Sequence, residues 1–163
     1  MLVKDLMSKP VATCRRETNL GAAVQILWNQ NCGFLPVVDA EEKVVGVITD
    51  RDICIALGTR NHPPGEIFVG DVISGNVISC KTDDEIHHVL PVMAEARVRR
   101  LPVLDFQGKL AGILSMDDAV LRAETGRFGK APALSFDEVA AALKRLYRPA
   151  LPEVVREKKA AAA

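Results

Sequence analysis

Aromatic residues are scarce in this chain: Phe, Trp and Tyr together make up 4% of its 163 residues. The apolar fraction is nevertheless an ordinary 48%, so the core must be built from Val, Leu, Ile and Ala. Net charge is also absent, with 21 Lys and Arg set against 21 Asp and Glu. That balance argues against a general nucleic-acid surface or a polybasic membrane surface. No apolar run is long enough to span a bilayer, and Lys4 and Asp5 fall within the first five residues, so neither a membrane helix nor a secretory signal is expected. Cys14, Cys32, Cys54 and Cys80 form no C-x-x-C pair and have no histidine at ligand spacing, so no zinc site is expected. Cys14 and Cys80 sit amid apolar neighbours and read as small buried hydrophobes, with reduced thiols and a cytoplasmic location. A Walker loop, a catalytic triad order and a metal cluster are missing too, which argues against an enzyme.

What is present is a repetition. Asp5 and Asp71, Cys14 and Cys80, Pro36 and Pro102, Gly46 and Gly112, and Asp52 and Asp118 are each 66 positions apart. No gap is needed between Val3 and Ala123, so the chain is an internal duplication. Its most telling stretch is Gly46-Val47-Ile48-Thr49-Asp50-Arg51-Asp52, written again as Gly112-Ile113-Leu114-Ser115-Met116-Asp117-Asp118. Physically this is a buried strand turning into a helix, with a hydroxyl and a carboxylate within one turn of the helix N-terminus. Such a turn suits a phosphate or ribose, and it equally suits a plain helix cap.

In chain order, Val11–Cys14 reads as a short strand and Leu20, Ala23, Val24 and Leu27 as one face of a helix capped by Thr18 or Asn19. Leu35–Asp39 and Val44–Thr49 form antiparallel neighbours across a short polar turn, and Asp50–Leu57 a second helix. Gly58–Phe68 is a linker, in which His62 has no evident partner. The second unit repeats the course through Val77–Cys80, a helix at Ile86–Met93, strands at Leu101–Asp105 and Leu110–Ser115, and a helix at Met116–Ala123. His87 and His88 read as solvated first-turn residues, and Pro91 should kink its helix. Beyond Gly129, Ser135 and Glu138 have capping-box spacing. They open a helix with Phe136, Val139, Ala140, Leu143, Leu146 and Tyr147 on its apolar face, ended by Pro149 and Pro152. Packing against the chain's own repeats is its expected role. Glu153–Ala163 reads as a frayed or unstructured tail.

With Asp5-Leu6-Met7, Leu35-Pro36-Val37-Val38-Asp39, Gly46–Asp52 and their counterparts in this order, the chain resembles a tandem CBS-domain pair, or Bateman module, of the stand-alone bacterial type. The resemblance covers Val3 to about Ala123. It implies an α/β (α+β) fold of two pseudo-symmetric β-α-β-β-α repeats packed through their sheets. The expected divisions are 1–60, 61–126, and a C-terminal helical extension over 127–163. It also implies two clefts between the repeats that bind adenosine-containing ligands, and disc-shaped homodimers.

On that resemblance the phosphate-contacting hydroxyls fall on Thr49 and Ser115, and the ribose carboxylates on Asp52 and Asp118. Thr49 and Asp52 should face Ile73, Ile78, Val98 and Arg99. Ser115 and Asp118 should face Met7, Ala12, Cys32 and Gly33. Arg97-Val98-Arg99-Arg100 replaces Asn31-Cys32-Gly33-Phe34 of the first repeat. Arg99 and Arg100 therefore suit phosphate, unless they merely pair with Glu95 or Asp117 at the surface. The expected function is regulatory sensing of an adenine nucleotide (AMP, ADP or ATP), with no cofactor required, acting on a protein partner or on the chain's own dimer. The alternatives are an S-adenosylmethionine or NAD binder, and a structural adaptor with empty clefts. Hydrolysis in a cleft would have only Asp50 and Asp117 to call on.

Overall fold

A computed structural model of the chain describes residues 1–73, 75–126 and 131–148. Its elements are α1 (Leu20–Asn29), β1 (Phe34–Val38), β2 (Val44–Thr49), α2 (Asp50–Arg60), β3 (Cys80–Lys81), α3 (Ile86–Ala96), β4 (Arg100–Leu104), β5 (Leu110–Ser115), α4 (Met116–Arg122) and α5 (Phe136–Leu146). The duplication is reproduced down to register. Phe34 pairs with Thr49 and Val38 with Val44, while Arg100 pairs with Ser115 and Leu104 with Leu110. Both hairpins slip at the same point, between Val37 and Val38 and between Val103 and Leu104.

The opening strands are shorter than the apolar runs suggested. Val11–Cys14 contributes one parallel bridge, Cys14 to Val37, and the second repeat pairs only Cys80 and Lys81 with β4. Conversely, α2 runs on through Gly58 to Arg60, with the Thr59 hydroxyl donating to the Ile55 carbonyl. Asn19 caps α1, its side chain accepting from the Ala22 N–H. Helix α3 continues through Pro91 to Ala96, at the loss of one internal hydrogen bond.

Two cores form, and the chain exchanges its lead-in segments between them. The 3-10 turn Val3–Asp5 belongs to the second repeat: Val3 N–H donates to Asp84 C=O and Lys4 N–H to Thr82 C=O. Its counterpart Val69–Asp71 joins the first, with Val69 N–H on Thr18 C=O and Gly70 N–H on Arg16 C=O. Val3 and Leu6 are accordingly buried among Ile86, Leu101 and Leu114, and Val69 among Leu20, Leu35 and Ile48. Neither repeat can close its core without a piece of the other.

The close approaches that this exchange requires explain two glycines. Any side chain at Gly46 would collide with Ile73, and one at Gly112 would meet Met7. Lys43 bridges to Lys109, its own counterpart. A residue facing its equivalent marks the internal two-fold axis.

Helix α5 packs on α3 and α4, as self-docking predicts. Its buried stripe is Val139, Ala142 and Leu146 with Leu143 alongside. Phe136, Ala140 and Tyr147, expected on that face, are exposed, because the i, i+3, i+7 row that meets α3 starts at Val139. Pro149, Pro152 and the tail Glu153–Ala163 lie outside the described residues.

Candidate functional site between the repeats

Each strand-to-helix turn is closed by a reciprocal cap. The Thr49 hydroxyl donates to Asp52 Oδ2 at 2.7 Å and accepts from the Asp52 N–H at 3.2 Å, while the Thr49 N–H donates to the same carboxylate oxygen at 2.9 Å. Ser115 and Asp118 repeat this at 2.6, 3.0 and 2.8 Å. All four residues thus take part in helix caps in the folded chain. Each turn spends its hydroxyl proton on Oδ2 of its own carboxylate, leaving Oδ1 outside the cap's hydrogen bonds. At Asp118 that oxygen accepts the Ser8 hydroxyl at 3.0 Å.

A cavity of about 390 Å³ opens beside the first turn. Thr49, Asp50 and Arg51 come to it from the start of α2, Val47 from β2, and Asn76 and Ile78 from the lead-in of the second repeat. The segment Arg97–Pro102 closes it, with Gly33 and Phe34 opposite. Thr49, Ile78, Val98, Arg99 and Arg100 are thus brought together from both repeats. Asp52 and Ile73 are not on its wall. Asp52 is turned to its cap and Ile73 to Gly46.

The cavity's charge is lopsided. Arg51, Arg97, Arg99 and Arg100 all line it, against the single acid Asp50. Arg100 reaches Asp117 at 3.6 Å, an exposed pairing worth little. Glu95, the other acid considered for these arginines, pairs instead with Arg145 on α5. Arg99 forms no ion pair among the described residues, and its carbonyl accepts the Met116 N–H at the head of α4. Arg97 takes a left-handed φ of 56° as it ends α3.

The residues expected around Ser115 and Asp118 are placed as follows. Met7 lies over Gly112. Ala12 and Cys32 pack against the first-repeat core. Gly33 faces Asp50, bordering both the central cavity and a groove between α1 and α2. Ser115 is buried and Asp118 half-buried.

Arg51, Asn76, Phe34, Val47 and Arg97 also line the cavity, beyond the residues expected from the sequence. Arg51 could have been found, since it sits between the two aspartates of the repeated turn. His88 is exposed, as expected, while the other two histidines differ from expectation. His62 Nδ1 lies 3.4 Å from Glu66, and His87 Nδ1 lies 2.7 Å from Glu138 on α5, so each has a carboxylate partner. Among the described residues no group of His, Cys, Asp and Glu is placed to hold a metal, and no helix is long and apolar enough to cross a membrane.

Two duplicated units, cores sharing exchanged lead-ins, and a cavity at their junction define a paired-repeat module. The CBS domain profile matches residues 3–59 and 69–123; the chain belongs to the CBS-domain family and carries two copies in tandem. A CBS domain pair crystallised in complex with 5′-methylthioadenosine and S-adenosyl-L-methionine matches with a TM-score of 0.67 and 31% identity, over 74% of this chain and 94% of that one. The YlbB protein of Bacillus subtilis is 33% identical over 124 residues, 76% of this chain and 82% of that protein. The L-aspartate semialdehyde sulfurtransferase of Methanocaldococcus jannaschii is 32% identical over 117 residues. There the match takes in 72% of this chain but only 22% of the enzyme's length.

Proposed function

We propose that the cavity between the repeats binds an adenosine compound carrying phosphate, and that its occupancy regulates a protein partner or the chain's own dimer. The observation that carries this reading is the convergence of four arginines on a cavity that also offers the apolar side chains Val47, Ile78 and Val98. A flat apolar wall suits a purine, and guanidinium groups suit phosphate oxygens. The solved relative that holds methylthioadenosine and S-adenosylmethionine supports the adenosine half of the reading. The arginines favour an anionic nucleotide (AMP, ADP or ATP) over S-adenosylmethionine, whose sulfonium is cationic.

The cavity is walled by both repeats, so a ligand in it couples their relative placement to its own concentration. It favours whichever arrangement binds it more tightly, and that difference is the regulatory signal. No chemical step is asked of the protein. A thermal-shift panel of adenosine, AMP, ADP, ATP, NAD and S-adenosylmethionine tests the reading. A ligand at a hundred times its dissociation constant adds about 2.7 kcal/mol of stability. A shift with the phosphorylated compounds is expected; a flat panel supports a structural adaptor instead.

A further inference from the structure

One cavity stands apart from the junction of the repeats. About 180 Å³ in volume, it lies between α3 and α5, lined by His87, Leu90 and Pro91 from the first and by Glu138, Ala141, Ala142 and Arg145 from the second. Leu90 and Ala142 are buried and form its floor, while Pro91 and Ala141 are exposed at its rim. Nothing in the duplication calls for it, because His87, Leu90 and Pro91 stand where α1 has Gly21, Val24 and Gln25. Pockets for drug-sized ligands begin at roughly 300 Å³, so an occupant here is smaller than that.

Its polar groups are sorted by type. At one end, Glu138 accepts the Ser135 hydroxyl and N–H on Oε2, and its Oε1 lies 2.7 Å from His87 Nδ1. An ionised carboxylate can only accept, so Nδ1 carries the proton and Nε2 of the neutral ring is left as an acceptor. The His87 carbonyl is a second acceptor. Its helical donor would be the N–H of residue 91, which proline lacks. At the other end, Arg145 engages Glu95 through Nη2 at 2.9 Å, its one ion pair among the described residues. A guanidinium carries five N–H donors and no acceptor. Acceptors beside a negative charge are therefore set against donors on a positive one, two turns further along α5, with an apolar floor between them.

We propose that this cavity binds a small free amino acid with an aliphatic chain, its ammonium on the His87 carbonyl and Nε2, its carboxylate on Arg145, and its carbon body on Leu90 and Ala142. A zwitterion matches both ends, and charge-assisted hydrogen bonds are the stronger kind. Pro91 then has a role: it withholds a backbone donor, so the His87 carbonyl stays open to a ligand. An occupied cavity also fastens α5 to the second repeat, since both helices hold the same molecule. The site stands independently of nucleotide binding.

Titration calorimetry of the full chain with valine, leucine and 4-aminobutyrate tests it, against isobutylamine and isovalerate, which each keep only one of the two charges. Wild type should bind at least one of the amino acids, and the single-charge analogues should bind at least about tenfold more weakly. Ala141→Leu fills the cavity from an exposed position on α5 and should abolish binding with the circular dichroism spectrum unchanged. Pro91→Ala restores the missing N–H, so it should raise the melting temperature while weakening the amino acid about tenfold. A proline that merely interrupts the helix would change stability alone. Failure of wild type to bind any of these amino acids at millimolar concentration, equal binding of a single-charge analogue, or binding undiminished in Ala141→Leu or Pro91→Ala would overturn the proposal.

Discussion

Ser8 donates its hydroxyl to Asp118 Oδ1 at 3.0 Å across 110 positions of sequence, tying the lead-in of the first repeat to the helix cap of the second. Asp118 is thereby engaged at both oxygens, Oδ2 by Ser115 and Oδ1 by Ser8. Replacing Ser8 by alanine removes only the tie, at an expected cost of about 0.5 kcal/mol for an exposed hydrogen bond. Replacing Asp118 by alanine removes its two bonds from Ser115 as well, the carboxylate half of the capping box, and should cost about 1–2 kcal/mol. Urea unfolding of the two variants checks the order. A Ser8→Ala loss equal to that of Asp118→Ala would mean the cap contributes nothing.

The buried cysteines make a second prediction. Burial pushes the Cys14 thiol up to about 11, and burial with Asp84 nearby pushes Cys80 up to about 12. Thiolate is the reactive form, so both should resist an aromatic disulfide reagent at about pH 8 in the native protein. Cys54 is exposed and Cys32 half-buried. Cys54 should react first, Cys32 more slowly, and Cys14 and Cys80 only in denaturant. Rapid native reaction of all four would contradict the two-core packing.

Acid should loosen α5. The Glu138 carboxyl lies below its ordinary range because the Ser135 hydroxyl and N–H donate to it, with His87 adding a further hydrogen bond. A carboxyl lowered in the folded state stabilises fully above its ordinary value of 4.5, and that contribution is lost as pH falls through the lowered value. Glu138→Gln should therefore melt at a lower temperature than wild type at neutral pH, with the gap closing below about pH 4.5. A gap that is constant from neutral to acid pH would remove the carboxylate from the account.

Much of this was legible in the chain. The offset of 66 located both hairpins, both capped turns and the equivalence of Cys14 with Cys80, because a duplication fixes correspondence residue by residue. It could not show that Val3–Asp5 completes the other repeat's core. Correspondence says which residues are alike, not which copy they pack in. The opening strands were over-read because Val11–Cys14 and Val77–Cys80 are apolar for packing and cavity lining rather than for a ladder. His87 looked solvated because its partner, Glu138, stands 51 positions away on a helix outside the repeat.

At the candidate site the outcome followed the same division. Thr49, Ile78, Val98, Arg99 and Arg100 meet at one cavity, joined by Arg51, which the repeated turn already contains, and by Arg97, whose placement spacing does not reveal. Arg97 in particular turns there because it ends α3 in a left-handed conformation.

The binding of ATP and of adenosine to wild type and to Arg99→Ala, measured by titration calorimetry, bears most directly on the proposed role of the cavity. Removing a charge-assisted phosphate contact typically forfeits about 1.5–3 kcal/mol, roughly tenfold or more in affinity. Wild type should bind ATP more tightly than adenosine, and Arg99→Ala should lose that advantage while holding adenosine as before. Failure of wild type to bind either compound, or equal weakening of both by Arg99→Ala, would contradict a nucleotide seated between the repeats with its phosphates on these arginines.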